Sequence, residues 1–104
     1  MESITVTAPL WRWDPATGLG AWYFLTIEGE AADRVRIAAM TGQWLDGRRG
    51  FGSARVEARI GDSDWTTSVF PHRESGGWLL PVKAAIRKAE GLSEGDVVTV
   101  TVSL

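Results

Sequence analysis

The sequence predicts a mainly-β domain with five or six strands and two short helices. Its apolar residues recur mostly at every second position, which is typical of strands with one buried face. Residues 54–60 show this alternation most strictly, and a helical period occurs in only two stretches. The length of 104 residues suits one hydrophobic core, so we expect the whole chain to form a single domain.

Two strands are predicted in the first quarter of the chain. Residues 4–8 alternate apolar and polar side chains, and Pro9 then indicates a sheet edge or a bulge, because proline cannot donate to a ladder. Residues 14–20 contain the residue types of a turn or short loop. Residues 21–27 are continuously apolar and β-prone, which predicts a strand buried on both faces.

A helix and a hairpin are predicted next. Over residues 30–40 the apolar period becomes helical, and residues 41–50, with three glycines, predict a loop. Residues 54–60 then form a strand, and the turn-rich residues 61–64 return the chain antiparallel over residues 65–70. Pro71 is expected to end that strand.

The second helix is predicted to open at Pro81, because proline suits the first turn of a helix. It follows a loop at residues 72–77 and a short strand at residues 78–80. Gly91 stands where a left-handed residue ends a helix, and residues 97–104 alternate again as a final strand. The predicted buried stripe of this helix consists of Val82, Ala85, Ile86 and Ala89.

Composition excludes several kinds of site and partner. The absence of cysteine removes disulfides, thiolate catalysis and cysteine-ligated metals. A net charge of −2 provides no general attraction to nucleic acid or anionic membrane. The sequence contains no membrane-spanning apolar run, and its first residues lack the pattern of a signal peptide. We therefore expect a cytoplasmic protein.

Four ordered segments resemble a known family. They are GFGSARV at residues 50–56, WTTSVFP at 65–71, LPVKAAIRKA at 80–89 and GD at 95–96. Together they resemble the bacterial domain-of-unknown-function family numbered nineteen hundred and five, and the resemblance covers nearly the whole chain. It supplies no catalytic residues.

The resemblance implies a double-split β-barrel of five to seven strands capped by two short α-helices. This architecture is shared with AbrB-type and MazE-type transcription-factor domains, and residues 87–96 resemble the AbrB-type stretch. Pro81 lies farther from Arg87 than in that pattern, and Glu90 replaces an apolar residue, so the relation is structural at best. One chain is expected to supply both barrel halves and to be a monomer or weak dimer.

The second predicted helix carries the best localised binding hypothesis. Lys83 and Arg87 are four residues apart, so their side chains emerge from one helix face and can hold an anion together. The alternatives are a solvated face, or pairing with Asp96 or Glu90.

Tryptophan is abundant, with six in the chain. Trp22, Trp65 and Trp78 lie inside strands and are predicted to fill the core. The other three, Trp11, Trp13 and Trp44, lie near loops, where they could line a groove with Tyr23 or Phe51, although core positions remain the alternative. The residues predicted to bind a ligand are Lys83, Arg87, Ser68, Trp44 and Phe51.

An arginine-rich segment provides a second hypothesis. Its members, interrupted only by Glu57, are Arg48, Arg49, Arg55 and Arg59. Such a segment could contact nucleic acid as in AbrB-like regulators. The negative total charge opposes this, and exposed strand charges commonly protect sheet edges.

No catalytic, metal or cofactor site is predicted. His72 is the one histidine and has no evident nucleophile or orienting partner in the sequence, while Asp62 and Asp64 suit turn capping. We expect a non-catalytic module that binds a small ligand or a protein. AbrB-like nucleic-acid binding is the alternative, and an enzyme comes third.

Overall fold

The computed structural model describes residues 2–14, 20–46 and 53–104, and for residues 41–46 only the backbone. Within these residues the chain forms seven strands and two helices, one strand more than the residue pattern predicts and within the five to seven that the family resemblance implies. In chain order they are β1 (Ser3–Pro9), β2 (Trp11–Trp13), β3 (Trp22–Ile27), α1 (Gly29–Asp46), β4 (Ala54–Ile60), β5 (Ser63–His72), β6 (Gly77–Pro81), α2 (Ala84–Glu90) and β7 (Val97–Ser103).

The strands form one antiparallel sheet that curls into a half-barrel. Their order is β1-β7-β4-β5-β6-β3-β2, so β1 and β2 are its edges. The closed double-split barrel implied by the family resemblance is not confirmed, because this sheet is open. Of the two alternatives predicted at Pro9, a sheet edge or a bulge, the structure shows the edge.

Leu10 alone connects the two edge strands, which are consecutive in the chain. Its side chain is almost completely buried. Its N–H donates to the carbonyl oxygen of Asp96 at 2.8 Å, and its own carbonyl accepts from the N–H of Gly95 at 2.7 Å. The turn that precedes β7 therefore anchors the point where the chain passes from one edge of the sheet to the other.

The core lies against one face of the sheet. Alternate residues of β1, β4 and β7 face it, as their period predicts, and α1 covers part of it with Ala32 and Val35. Trp78 of β6 is buried, and its indole N–H donates to the carbonyl oxygen of Ala32 at 3.1 Å. The hydrogen bond fixes α1 against the sheet.

The predicted end of the first helix is wrong. α1 continues to Asp46, across residues that were expected to begin a loop. The segment 41–46 contains no proline, and a single glycine lowers helix propensity without preventing a helix. The remaining part of the predicted loop lies outside the described residues.

The predicted start of the second helix is also wrong. Pro81 is the last residue of β6 and lies opposite Phe24, while α2 begins at Ala84. Proline is tolerated at this strand end, where the ladder does not need its N–H. Of the predicted stripe, Val82 is buried but precedes the helix, Ala85 and Ala89 are exposed, and Ile86 is buried.

Two strand predictions need correction in the middle of the sheet. Pro71 does not end β5, which continues to His72 and pairs there with β6. Beyond Val69, β5 has lost its pairing with β4, so a proline can occupy the open side. The hairpin turn is also shorter than predicted, because β5 already begins at Ser63.

The end of α2 follows the prediction. Gly91 adopts the left-handed conformation, with φ 64° and ψ 38°. The N–H of Leu92 donates to the carbonyl oxygen of Arg87 at 2.8 Å, the pairing of a Schellman motif.

Candidate anion-binding groove

A groove opens where β5 separates from its neighbours. β5 pairs with β4 as far as Val69 and with β6 only from Phe70 onward. On the side away from β4, residues 65–68 therefore face the connection from β6 to α2 instead of another described strand. The space between them, which we call the β5–α2 groove, has a volume of about 440 Å³.

Arg87 is the most strongly positioned cation of this groove. Its side chain is half-buried, and its Nε donates to the carbonyl oxygen of Val82 at 3.1 Å. The guanidinium carbon lies 3.7 Å from the centre of the Tyr23 ring, a cation–π contact. One edge and one face of the guanidinium are thus held by the protein, which reduces the entropy lost when it binds an anion.

The chain fixes α2 at both ends, and this determines where Arg87 lies. Before the helix, the N–H of Val82 donates to the carbonyl oxygen of Tyr23 at 2.9 Å, which extends the β3–β6 pairing. After the helix, Gly91 provides the turn that returns the Leu92 N–H to Arg87. Ile86 packs into the core between these two anchors.

Two further cations line the same groove. Lys83 is exposed at the N-cap position of α2, and Arg55 is exposed on β4. Arg55 lies directly opposite Ser68 in the β4–β5 register, so strand pairing brings both residues to the groove. No carboxylate is among the described residues that line it.

The acidic partners considered for Lys83 and Arg87 are engaged elsewhere. The Ser63 hydroxyl donates to Glu90 at 2.7 Å, and Asp96 accepts from the backbone N–H of Ser93 at 2.8 Å. In the described parts of the chain, no salt bridge involves Lys83, Arg87 or Arg55. All three positive charges remain without an acidic partner there.

Aromatic rings form the other wall of the groove. Trp22 is 52% exposed and Phe70 is 43% exposed, and both line it. The prediction that Trp22 fills the core is therefore wrong. Side chains alternate along β3, and Leu25 and Ile27 occupy the core face, so Trp22 lies on the opposite face with Phe24. The core positions predicted for Trp65 and Trp78 are confirmed.

The structure brings three of the predicted ligand residues together and does not describe the side chains of the other two. Lys83, Arg87 and Ser68 all line the β5–α2 groove. The side chain of Trp44 and the whole of Phe51 lie outside the described residues.

The structure describes two of the four arginines in the nucleic-acid hypothesis, Arg55 and Arg59. Arg48 and Arg49 lie outside the described residues. Arg59 is 3.7 Å from the carboxylate of Asp64 and donates through Nε to the carbonyl oxygen of Gly61 at 3.1 Å. Arg55 belongs to the groove.

A second groove, between β4, β5 and β7, also has a volume of about 440 Å³. Its lining includes Glu57 together with the Arg59–Asp64 pair, so its charges largely compensate one another. This balance makes it a weaker candidate for binding a charged ligand than the β5–α2 groove.

Sequence reasoning missed Trp22 and Phe70 as groove residues, and it assigned Arg55 only to the nucleic-acid hypothesis. The continuously apolar residues 21–27 contain no local signal that could have placed Trp22 on an exposed face. The position where β5 leaves β4 has no such signal, because strand pairing depends on residues distant in sequence.

The described residues offer neither a metal site nor a membrane-spanning helix. They contain no group of three or more His, Cys, Asp or Glu side chains placed to hold a metal ion. None of their helices combines the length and apolar character needed to cross a membrane.

Comparison with known proteins identifies the family of the chain. No curated protein matches the chain significantly. The profile of the family described as Domain of unknown function (DUF1905) matches residues 7–102, which include every strand and helix of the groove. The chain therefore belongs to the DUF1905 family.

Proposed function

We propose that this protein is a non-catalytic binding module that holds a small anion in the β5–α2 groove. The observation that carries the proposal is that the Arg87 side chain is held in place but not neutralised. Its guanidinium is half-buried and fixed by Val82 and Tyr23, yet no described carboxylate neutralises it. A fixed, unneutralised guanidinium is well suited to charge-assisted hydrogen bonds with an oxyanion.

The other polar residues of the groove support an anion as the ligand. Lys83 and Arg55 add two positive charges, and the hydroxyl groups of Thr66, Thr67 and Ser68 provide uncharged donors.

Duplex nucleic acid is less well supported as the ligand. A protein that binds the phosphate backbone generally presents several cations along one surface. Here Arg59 is engaged by Asp64 and Gly61, and the chain as a whole carries a net charge of −2.

The test is an NMR titration with inorganic phosphate at constant ionic strength. We expect the resonances of the Arg87 Nε–H and of the backbone amides of residues 65–68 to shift in fast exchange as phosphate is added. The double variant Lys83→Ala plus Arg87→Gln retains the aliphatic stem of Arg87 but removes both charges. Its affinity should fall about tenfold to a hundredfold, the range expected for charge-assisted hydrogen bonds.

Lys88→Ala is the matched control, because Lys88 is an exposed cation of the same helix that does not line the groove. It should retain the wild-type affinity. If phosphate bound equally to the wild type and to the double variant, the proposed site would be wrong.

A further inference from the structure

We propose that the ligand of the β5–α2 groove is an aromatic anion, a planar ring that carries a carboxylate or phosphate group. This inference rests on the proposed function and names the class of ligand. The anionic group would contact Arg87 and Lys83, and the ring would lie against Trp22 and Phe70.

The first argument is the exposure of the two aromatic side chains. Trp22 and Phe70 leave about half of their surfaces open, at 52% and 43%, and both line the groove that holds the cations. An inorganic anion would contact the cations and leave these rings in water. A ligand with its own ring would bury them, and burial of apolar surface favours binding.

The second argument is that the Trp22 ring is already oriented. It stacks on Phe24, with 6.1 Å between ring centres and 9° between ring planes. Phe24 in turn packs against Trp11, at 5.2 Å. The ring that would receive the ligand is thus supported from behind by other aromatic rings, so little side-chain freedom is lost on binding.

The third argument is the adjacency of the ring and the cation. Tyr23 holds the Arg87 guanidinium over its face, and Trp22 is the preceding residue of the same strand. Their side chains leave the strand on opposite faces, yet both residues line the groove, because they lie at the very start of β3 where the sheet ends. The volume of about 440 Å³ lies within the range of sites that bind small organic molecules.

Charge complementarity excludes a neutral aromatic ligand as the preferred class. Such a ligand would cover Trp22 and Phe70 but would desolvate the cations without providing an acceptor for them. Removing a charge from water without a partner opposes binding. A molecule that has both a ring and an anionic group can contact the aromatic side chains and the cations of the groove at the same time.

The experiment compares five probes by NMR titration at one ionic strength. The aromatic anions are 1-naphthoate and adenosine 5′-monophosphate, the non-aromatic anions are acetate and phosphate, and 1-naphthalenemethanol is the neutral aromatic probe. We expect at least one aromatic anion to bind about tenfold or more tightly than the anion with the same charged group, as aromatic stacking on a protein ring predicts. The relative affinities of acetate and phosphate show which charged group the cations of the groove prefer.

A matched pair of variants tests the role of Trp22. Trp22→Thr keeps a β-forming residue and should reduce the affinity for the aromatic anion about tenfold. It should leave the affinity for acetate and phosphate unchanged. Trp13→Thr is the control, because Trp13 lies opposite Trp22 on β2 and is 50% exposed but does not line the groove.

The outcomes separate the two proposals. If acetate and phosphate bind in a manner that requires Arg87, but a ring adds nothing or Trp22→Thr has no effect, the aromatic class is wrong and the anion site stands. If the neutral probe 1-naphthalenemethanol binds as tightly as 1-naphthoate, the proposal of an aromatic anion is also wrong. If no anion depends on Lys83 and Arg87, the proposed function itself fails.

Discussion

Two buried tryptophans differ in how the protein satisfies their indole N–H groups. Trp78 donates to the carbonyl oxygen of Ala32, whereas Trp65 Nε1 is buried and has no hydrogen-bond partner in the described part of the chain. A buried donor without a partner lowers stability, because its hydrogen bond to water is lost and not replaced. The two side chains are buried to a similar degree, with 7% of Trp65 and 6% of Trp78 exposed.

These residues allow a paired prediction. Trp65→Phe and Trp78→Phe remove similar apolar volume, but only Trp78→Phe removes a hydrogen bond. We expect Trp78→Phe to lower the free energy of unfolding by about 1–2 kcal/mol more than Trp65→Phe. Urea unfolding followed by circular dichroism measures both values, and equal losses would contradict the assignment of the two indoles.

At the scale of the element, the stability of α2 depends on the interactions at its ends. It has seven residues and one buried side chain, Ile86, so it is too short to be stable alone. Gly91 ends it in the left-handed conformation, and Glu90 accepts a hydrogen bond from Ser63 at the start of β5. Opposite this helix end Gly61 has a φ of 57°, a conformation that favours glycine, and a Cβ atom there would displace the Glu90 carboxylate.

The left-handed position predicts a graded effect of substitution. Gly91→Ala should lower the free energy of unfolding by about 1–2 kcal/mol, since a Cβ atom is strained in this conformation. Gly91→Asn should cost less, because asparagine tolerates it better. Hydrogen exchange at the Leu92 amide, which donates to Arg87, should accelerate in the same order. Identical exchange in all three proteins would show that Gly91 does not hold the end of α2.

At the scale of the whole molecule, Leu10 connects parts of the sheet that are distant in strand order. It joins the edge strands β1 and β2, and its backbone is hydrogen-bonded to the turn before β7. Its side chain is only 1% exposed. Loosening this residue should therefore affect both ends of the sheet at once.

Leu10→Ala should lower the free energy of unfolding by about 2–5 kcal/mol, the range found for large-to-small changes in packed cores. Val97→Ala is the control, because Val97 is 72% exposed beside the same turn and should change stability by less than about 0.5 kcal/mol. Thermal unfolding followed by calorimetry distinguishes the two. A small loss for Leu10→Ala would show that the edges of the sheet do not depend on this connection.

Local pattern predicted most of the elements correctly. The alternation in β1, β4 and β7 identified their buried faces, and Gly91 identified the end of α2, because these signals act within a few residues. Predictions failed where pairing with a distant strand decided the outcome. Pro71 and Pro81 were assigned as a strand end and a helix start, yet both lie in strands that tolerate them at open positions of the ladder.

In the candidate site, too, some features are visible in the local sequence and others depend on pairing between distant strands. The spacing of Lys83 and Arg87 is visible in the sequence, but the prediction that both side chains leave one helix face is wrong, because Lys83 precedes α2 in an extended conformation. The sequence alone determined the strand alternation, the left-handed helix end, the absence of cysteine chemistry and the family resemblance. Only the tertiary structure decided that Arg55 and Trp22 join those cations and Ser68 in one groove. The three residues come from different strands, and antiparallel register places residues from distant parts of the chain side by side.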